Sequence, residues 1–155
     1  MAPRSKSKSD LASEAWSNIF EFIVATAGHR DAVLERLKLT PGDGRALAAL
    51  EPGVPKTMRT LAEEWNCDAS NATWMVDRLE KRGLVKRQDV PGDRRLKAVA
   101  LTAKGKQIKG DLTAGMYAPP PELLALSREE LEALAAAVSG LPRGQLSPAI
   151  GFRQR

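Results

Sequence analysis

The side chains best placed to do chemistry lie in QDVPGDRRLKAVALT, residues 88–102, where Asp93, Arg94 and Arg95 follow a Pro-Gly turn between two segments rich in β-branched residues. A solvated hairpin tip needs a turn former and some polarity, but not two adjacent guanidinium groups at the end of a projecting ribbon. Two such groups make a probe for phosphate, or for the negative potential of a narrow minor groove. A carboxylate is a poor neighbour for phosphate, so the expected role of Asp93 is structural, orienting Arg95 or the hairpin. Arg94 and Arg95 are then left for the anion, and an ordinary charged hairpin tip is the competing reading.

Catalysis has no comparable constellation. His29 and Cys67 are the single histidine and the single cysteine, too few for a His/Cys zinc site and expected on different elements. No Gly-rich phosphate loop and no carboxylate pair placed for acid and base work is present. No metal, no cofactor and no enzyme activity are therefore expected. One cysteine also excludes an intramolecular disulfide, which fits a reducing cytoplasm. No apolar run approaches the roughly 20 residues that cross a bilayer, and MAPRSKSKSD has no apolar signal core, so no membrane partner is expected.

Charge favours an anionic partner. The 155 residues carry a net +5, and the segment from Lys56 to Lys109 holds 13 basic and 7 acidic side chains, so the whole surplus falls in this third of the chain. Ala and Leu are prominent and aromatic residues make up only 5%, which favours helices. The expected fold class is mainly α with a small β-hairpin wing.

The elements that must carry these residues can be read in turn. Residues 1–10 read as a disordered basic tail. From Leu11, the residues Trp16, Ile19, Phe20, Ile23, Val24 and Ala27 recur at helical spacing, with Gly28 as a stop. DAVLERLKL gives a short second helix, and Thr40 with Pro41 opens a third that runs to Leu50. After the loop EPGVPK come two apolar stripes, Met58, Leu61, Ala62, Trp65 and then Ala72, Met75, Val76, Leu79. Between them Asn66 can take the left-handed conformation and Asp68 can cap the next helix, which makes a helix-turn-helix. Gly83 ends the second helix, and strands at Leu84–Val90 and Leu96–Leu101 form a hairpin directly behind it, so the unit is a winged helix.

On the second helix Ser70, Trp74, Asp77, Arg78 and Lys81 fall opposite the stripe, with Asn71 and Thr73 beside them. Such a face can enter a major groove, where Ser, Thr, Asn and Arg read base edges; a plain solvated face is the alternative. Trp74 could touch a thymine methyl or a sugar, or pack against a partner or the C-terminal segment. Lys86, Arg87 and Lys97 would add phosphate contacts. Cys67, near a helix N-terminus that would lower its thiol pKa, is a candidate redox switch, but a small apolar filler of the turn is the favoured reading. Thr102 caps a further helix bearing Ile108, Leu112 and Met116, and includes Gly105, Gly110 and Gly115. Beyond the APPP break, a Ser127–Glu130 capping box opens a last helix with Leu131, Leu134, Val138 and Leu141 on one side.

LAEEWNCDASNATWMVDRLEKRGLVKRQDVPGDRRLKAVALTAKG closely resembles the winged-helix core of the MarR family of bacterial transcriptional regulators, chiefly through VDRLEKRGLV, DRR and LTAKG. The resemblance extends more loosely over residues 11–141. It implies a homodimer whose terminal helices interlock, a repressor on double-stranded DNA at a pseudo-palindromic operator, and release by a small aromatic, often phenolic, effector. It divides the chain into N-terminal dimerisation helices at 11–39, a winged helix-turn-helix at 40–101, C-terminal dimerisation helices at 102–141 and a mobile tail at 142–155. Residues 69–78 become the recognition surface and Arg95 the wing arginine that pairs with Asp93, while Trp74 departs from the polar or basic residue more usual there. Trp16, Phe20, His29 and Arg45 lie on segments that line the effector pocket in similar proteins; Trp16 and Phe20 also fit a core or dimer face, and His29 a helix end. An architectural DNA binder without an effector, and a winged-helix module that binds protein, are the other readings.

Overall fold

A computed structural model describes residues 5–90 and 92–142, and of residues 93–95 the backbone alone. Eight helices and three short strands follow one another: α1 (Lys8–Ala25), α2 (Ala27–Arg36), α3 (Pro41–Ala49), β1 (Lys56–Thr57), α4 (Met58–Glu64), α5 (Ala69–Lys81), β2 (Val85–Val90), β3 (Asp93–Leu101), α6 (Ala103–Tyr117), α7 (Pro121–Leu124) and α8 (Arg128–Ser139). The strands form one antiparallel sheet in the order β1-β3-β2, so the architecture is the expected winged helix-turn-helix on a mainly helical frame.

Several boundaries differ from expectation, each for a local reason. The first helix starts at Lys8, inside the stretch read as a tail, because Ser7 and Asp10 form a reciprocal capping box. It ends at Ala25 and not at Gly28: the Thr26 hydroxyl folds back to donate to the Phe22 carbonyl at 2.7 Å, and the chain re-enters a helix one residue later. Gly28 is the second residue of α2. β3 begins at Asp93, three residues before Leu96, with a register shift at Asp89/Val90 that lets Val90 face Asp93. Two elements are additional: the two-residue β1, too short for any periodicity, and the single turn α7, begun by Pro121 in the segment read as a break. The expected tail beyond residue 142 lies outside the described residues.

The core sits where α2, α3, α4, α5, α6 and the sheet converge. Leu47, Leu61, Ala72, Val76, Leu79, Leu84 and Val99 have no exposed surface, and Leu50 and Leu112 scarcely any. α6 reaches this core by a close backbone approach: a Cβ on Gly105 would lie 1.8 Å from the Leu84 carbonyl oxygen, so only glycine fits. The Thr102 hydroxyl, which caps α6 through the Gly105 N–H, also donates to the Gly83 carbonyl at 2.7 Å. One joint therefore ties the end of α5, the root of the wing and the start of α6.

α1 and α8 behave differently. Neither buries a residue within the chain, and α1 leaves Trp16 64% and Phe20 56% exposed. Leu134, Val138 and Leu141 are exposed on and just beyond α8. Among the described residues no helix is long and apolar enough to cross a membrane.

Candidate nucleic-acid interface

The candidate interface is built on the turn between α4 and α5. Asn66 adopts φ 48°, the left-handed conformation that asparagine tolerates, and turns the chain out of α4. Asp68 then caps α5, accepting the Asn71 N–H at 2.7 Å and the Ser70 hydroxyl at 2.6 Å. These donors hold the Asp68 carboxyl below its ordinary value, the Ser70 hydroxyl most of all. With Ala72, Val76 and Leu79 buried, the opposite face of α5 presents Ser70, Asn71, Thr73, Trp74 and Lys81 to solvent. The Thr73 hydroxyl proton is committed to the Ala69 carbonyl at 2.8 Å, leaving its oxygen and methyl outward.

Arg78 does not stand free beside them. Its Nη2 donates to the Asp43 carboxylate at 2.6 Å and to the Thr40 hydroxyl at 3.2 Å, and Asp43 is only 2% exposed. The guanidinium carbon lies 4.4 Å from the centre of the Trp74 ring, a cation–π stack. Asp43 was not among the expected site residues. The one signal in the sequence was its position three, four and seven residues before Ala46, Leu47 and Leu50, a carboxylate on an apolar stripe.

Other expected phosphate contacts are also engaged within the chain. Arg87 is clamped by Asp77 at 2.6 Å and by Glu80, and the Asp77 hydrogen bond above all raises its pKa. Lys97 pairs with Asp89 across the wing. Lys56 donates to Glu51 and Glu64, so part of the basic surplus in this region is spent internally. Lys81 and Lys86 remain exposed. The side chains of Asp93, Arg94 and Arg95 lie outside the description; the backbone carries them in the first residues of β3, beside Gly92 at φ 89°.

The Cys67 expectation needs correcting. Burial pushes its thiol up, the adjacent Asp68 carboxylate pushes it further, and a hydrogen bond from the Ala72 backbone opposes them weakly. Its side chain packs against the core, as a small apolar filler would. It also lines an open cleft of about 550 Å³ together with Met58, Ala62 and Thr73. None of the expected effector residues lines that cleft. Trp16 and Phe20 lie together on α1 with ring centroids 6.5 Å apart, Arg45 is exposed on α3, and His29 places Nε2 3.3 Å from the Gly115 carbonyl, to which it donates.

Known proteins share this fold. The family model described as MarR family matches residues 37–96, from the end of α2 into the wing. An HTH-type transcriptional regulator of Bacillus subtilis, YcgE, is 34% identical over 104 residues, covering 66% of this chain and 68% of that protein. Among solved structures, the YusO protein of B. subtilis is 25% identical with a TM-score of 0.70, over 86% of this chain and 96% of that one. A variant of MepR from S. aureus, bound to an oligodeoxyribonucleotide, is 25% identical with a TM-score of 0.65, over 80% and 93%. The helix-turn-helix, the wing behind it and the kinship with YcgE over two thirds of its length lead to one conclusion: this chain belongs to the MarR family of transcriptional regulators.

Proposed function

We propose that the protein is a homodimeric repressor that binds a pseudo-palindromic operator in double-stranded DNA, in the cytoplasm, and leaves it when a small aromatic or anionic ligand binds. The observation that carries this reading is the outward face of α5, where Ser70, Asn71, Thr73 and Trp74 stand exposed beside a hairpin wing whose tip sequence holds Arg94 and Arg95. An α-helix fits the major groove, and those side chains suit base edges, while the arginines suit the neighbouring minor groove. The DNA-bound MepR variant, similar over 80% of this chain, supports the same docking.

The dimer is supported by α1 and α8, which bury nothing in their own chain yet present Trp16, Phe20, Leu134 and Val138. Two-fold symmetry then sets half-sites about 10 bp apart. The effector reading rests on the exposed Trp16–Phe20 pair, an aromatic wall that a second subunit could close, with His29 and Arg45 as polar partners.

Fluorescence anisotropy on the DNA upstream of the gene, against a scrambled duplex at about 0.15 M salt, tests the proposal. The expected preference is about 10³-fold or more. A ratio near one, on this DNA and on duplexes from genome-wide selection, would instead favour an architectural binder whose affinity falls steeply with salt and ignores sequence.

A further inference from the structure

Trp74 is the one outward side chain of α5 that is both large and apolar. It is 55% exposed, at the middle of the helix, on the face opposite the core. Its helical neighbours three and four residues away, Ser70, Asn71, Asp77 and Arg78, are all polar, so it does not belong to an apolar patch of the kind that docks on protein. Nor is it left to move freely. Arg78 lies 4.4 Å over the ring, and Arg78 is itself held by Asp43 at 2.6 Å and Thr40 at 3.2 Å. Thr40 and Asp43 are the N-cap and third residue of α3, where the Asp43 N–H donates to the Thr40 hydroxyl at 3.1 Å. A chain of contacts thus runs from a buried carboxylate in the core, through one guanidinium, to the outermost aromatic ring of the recognition helix.

Each partner in that chain has a definite use. Asp43 takes up the charge of Arg78, so this arginine is not available as a simple phosphate contact. Arg78 stacks over the indole, and Trp74 nonetheless stays more than half exposed. In the major groove the apolar feature of a base edge is the 5-methyl group of thymine.

We propose that Trp74 reads a thymine 5-methyl group in each half-site, and that Asp43 and Arg78 are positioning residues that set the ring for this contact. This rests on the DNA-binding reading above and adds the base that the ring selects.

The test uses the full-length protein and a duplex that it selects from a randomised pool, with each thymine replaced in turn by deoxyuridine, which deletes only the methyl group. One thymine per half-site is expected to lose about fourfold in affinity on replacement, the equivalent of one buried methylene-sized group. Trp74→Ala removes this ratio, and Trp74→Phe keeps part of it. Arg78→Lys retains a cation for Asp43 but loses the planar stack, and is expected to shrink the thymine-to-deoxyuridine ratio. That ratio compares two duplexes on one protein, so a general loss of stability does not move it. A selected duplex that tolerates deoxyuridine at every position, or a ratio unchanged in Trp74→Ala, overturns the inference alone. Selection of no preferred sequence overturns it together with the regulator reading.

Discussion

At the scale of single residues, the two arginines Arg78 and Arg87 show how differently the same side chain can be used. Both are about a third exposed and both meet carboxylates at 2.6 Å, but the Asp43 partner of Arg78 is buried while the Asp77 and Glu80 partners of Arg87 are only partly buried and reach water. Removing Arg78 strands a carboxylate in the core. Arg78→Ala is therefore expected to destabilise the protein by about 3–5 kcal/mol, whereas Arg87→Ala costs about 1 kcal/mol or less, as measured by urea unfolding. Equal losses would mean that the Asp43 pair is hydrated in solution. The sequence identified Arg78 as an outward residue but not its partner, because the pair spans 35 residues and α3 gives no local sign that its first turn faces α5. Caps were legible for the opposite reason. Thr40, Asp68, Thr102 and Ser127 each bond a backbone N–H three residues ahead, so the signal lies wholly within one short stretch.

At the scale of elements, α6 separates two kinds of helical glycine that look alike in the sequence. Gly105 meets the Leu84 carbonyl, whereas a Cβ on Gly110 would meet nothing within 4 Å. Gly105→Ala must push backbone away from backbone and is expected to cost at least about 1–3 kcal/mol, while Gly110→Ala gains up to about 1 kcal/mol of helix propensity. Thermal melting of the two variants, one lowered and one raised, checks the assignment. The wing was legible in outline from its alternating residues and its turn, but its extent was not. β3 runs on to Asp93 because the register shift near Val90 carries pairing to the tip, and neither that shift nor the two-residue β1 leaves a pattern in the chain. Helix ends were misjudged where a side chain folded back on its own backbone, as Thr26 does, since glycine was the more obvious stop.

At the scale of the whole molecule, the described chain has one packed region and two long helices, α1 and α8, that bury no residue fully against it. The proposed dimer assigns that partner to a second copy. Sedimentation is expected to give a dimer at micromolar concentration, and Phe20→Asp combined with Val138→Glu is expected to give a monomer with weakened operator binding. A monomeric parent protein would remove the dimer from the proposal and leave the exposed rings of Trp16 and Phe20 to a different occupant. The winged helix-turn-helix contrasts with these helices. Thr102 bonds the Gly83 carbonyl and Gly105 admits the Leu84 carbonyl against α6, so α5 and the wing share one root. Under the proposed docking, a substitution at this root is expected to misalign both contacts at once, while a change at an outward residue of α5 alters one contact alone. On that docking, base preference would be adjustable without altering the spacing between the two contacts.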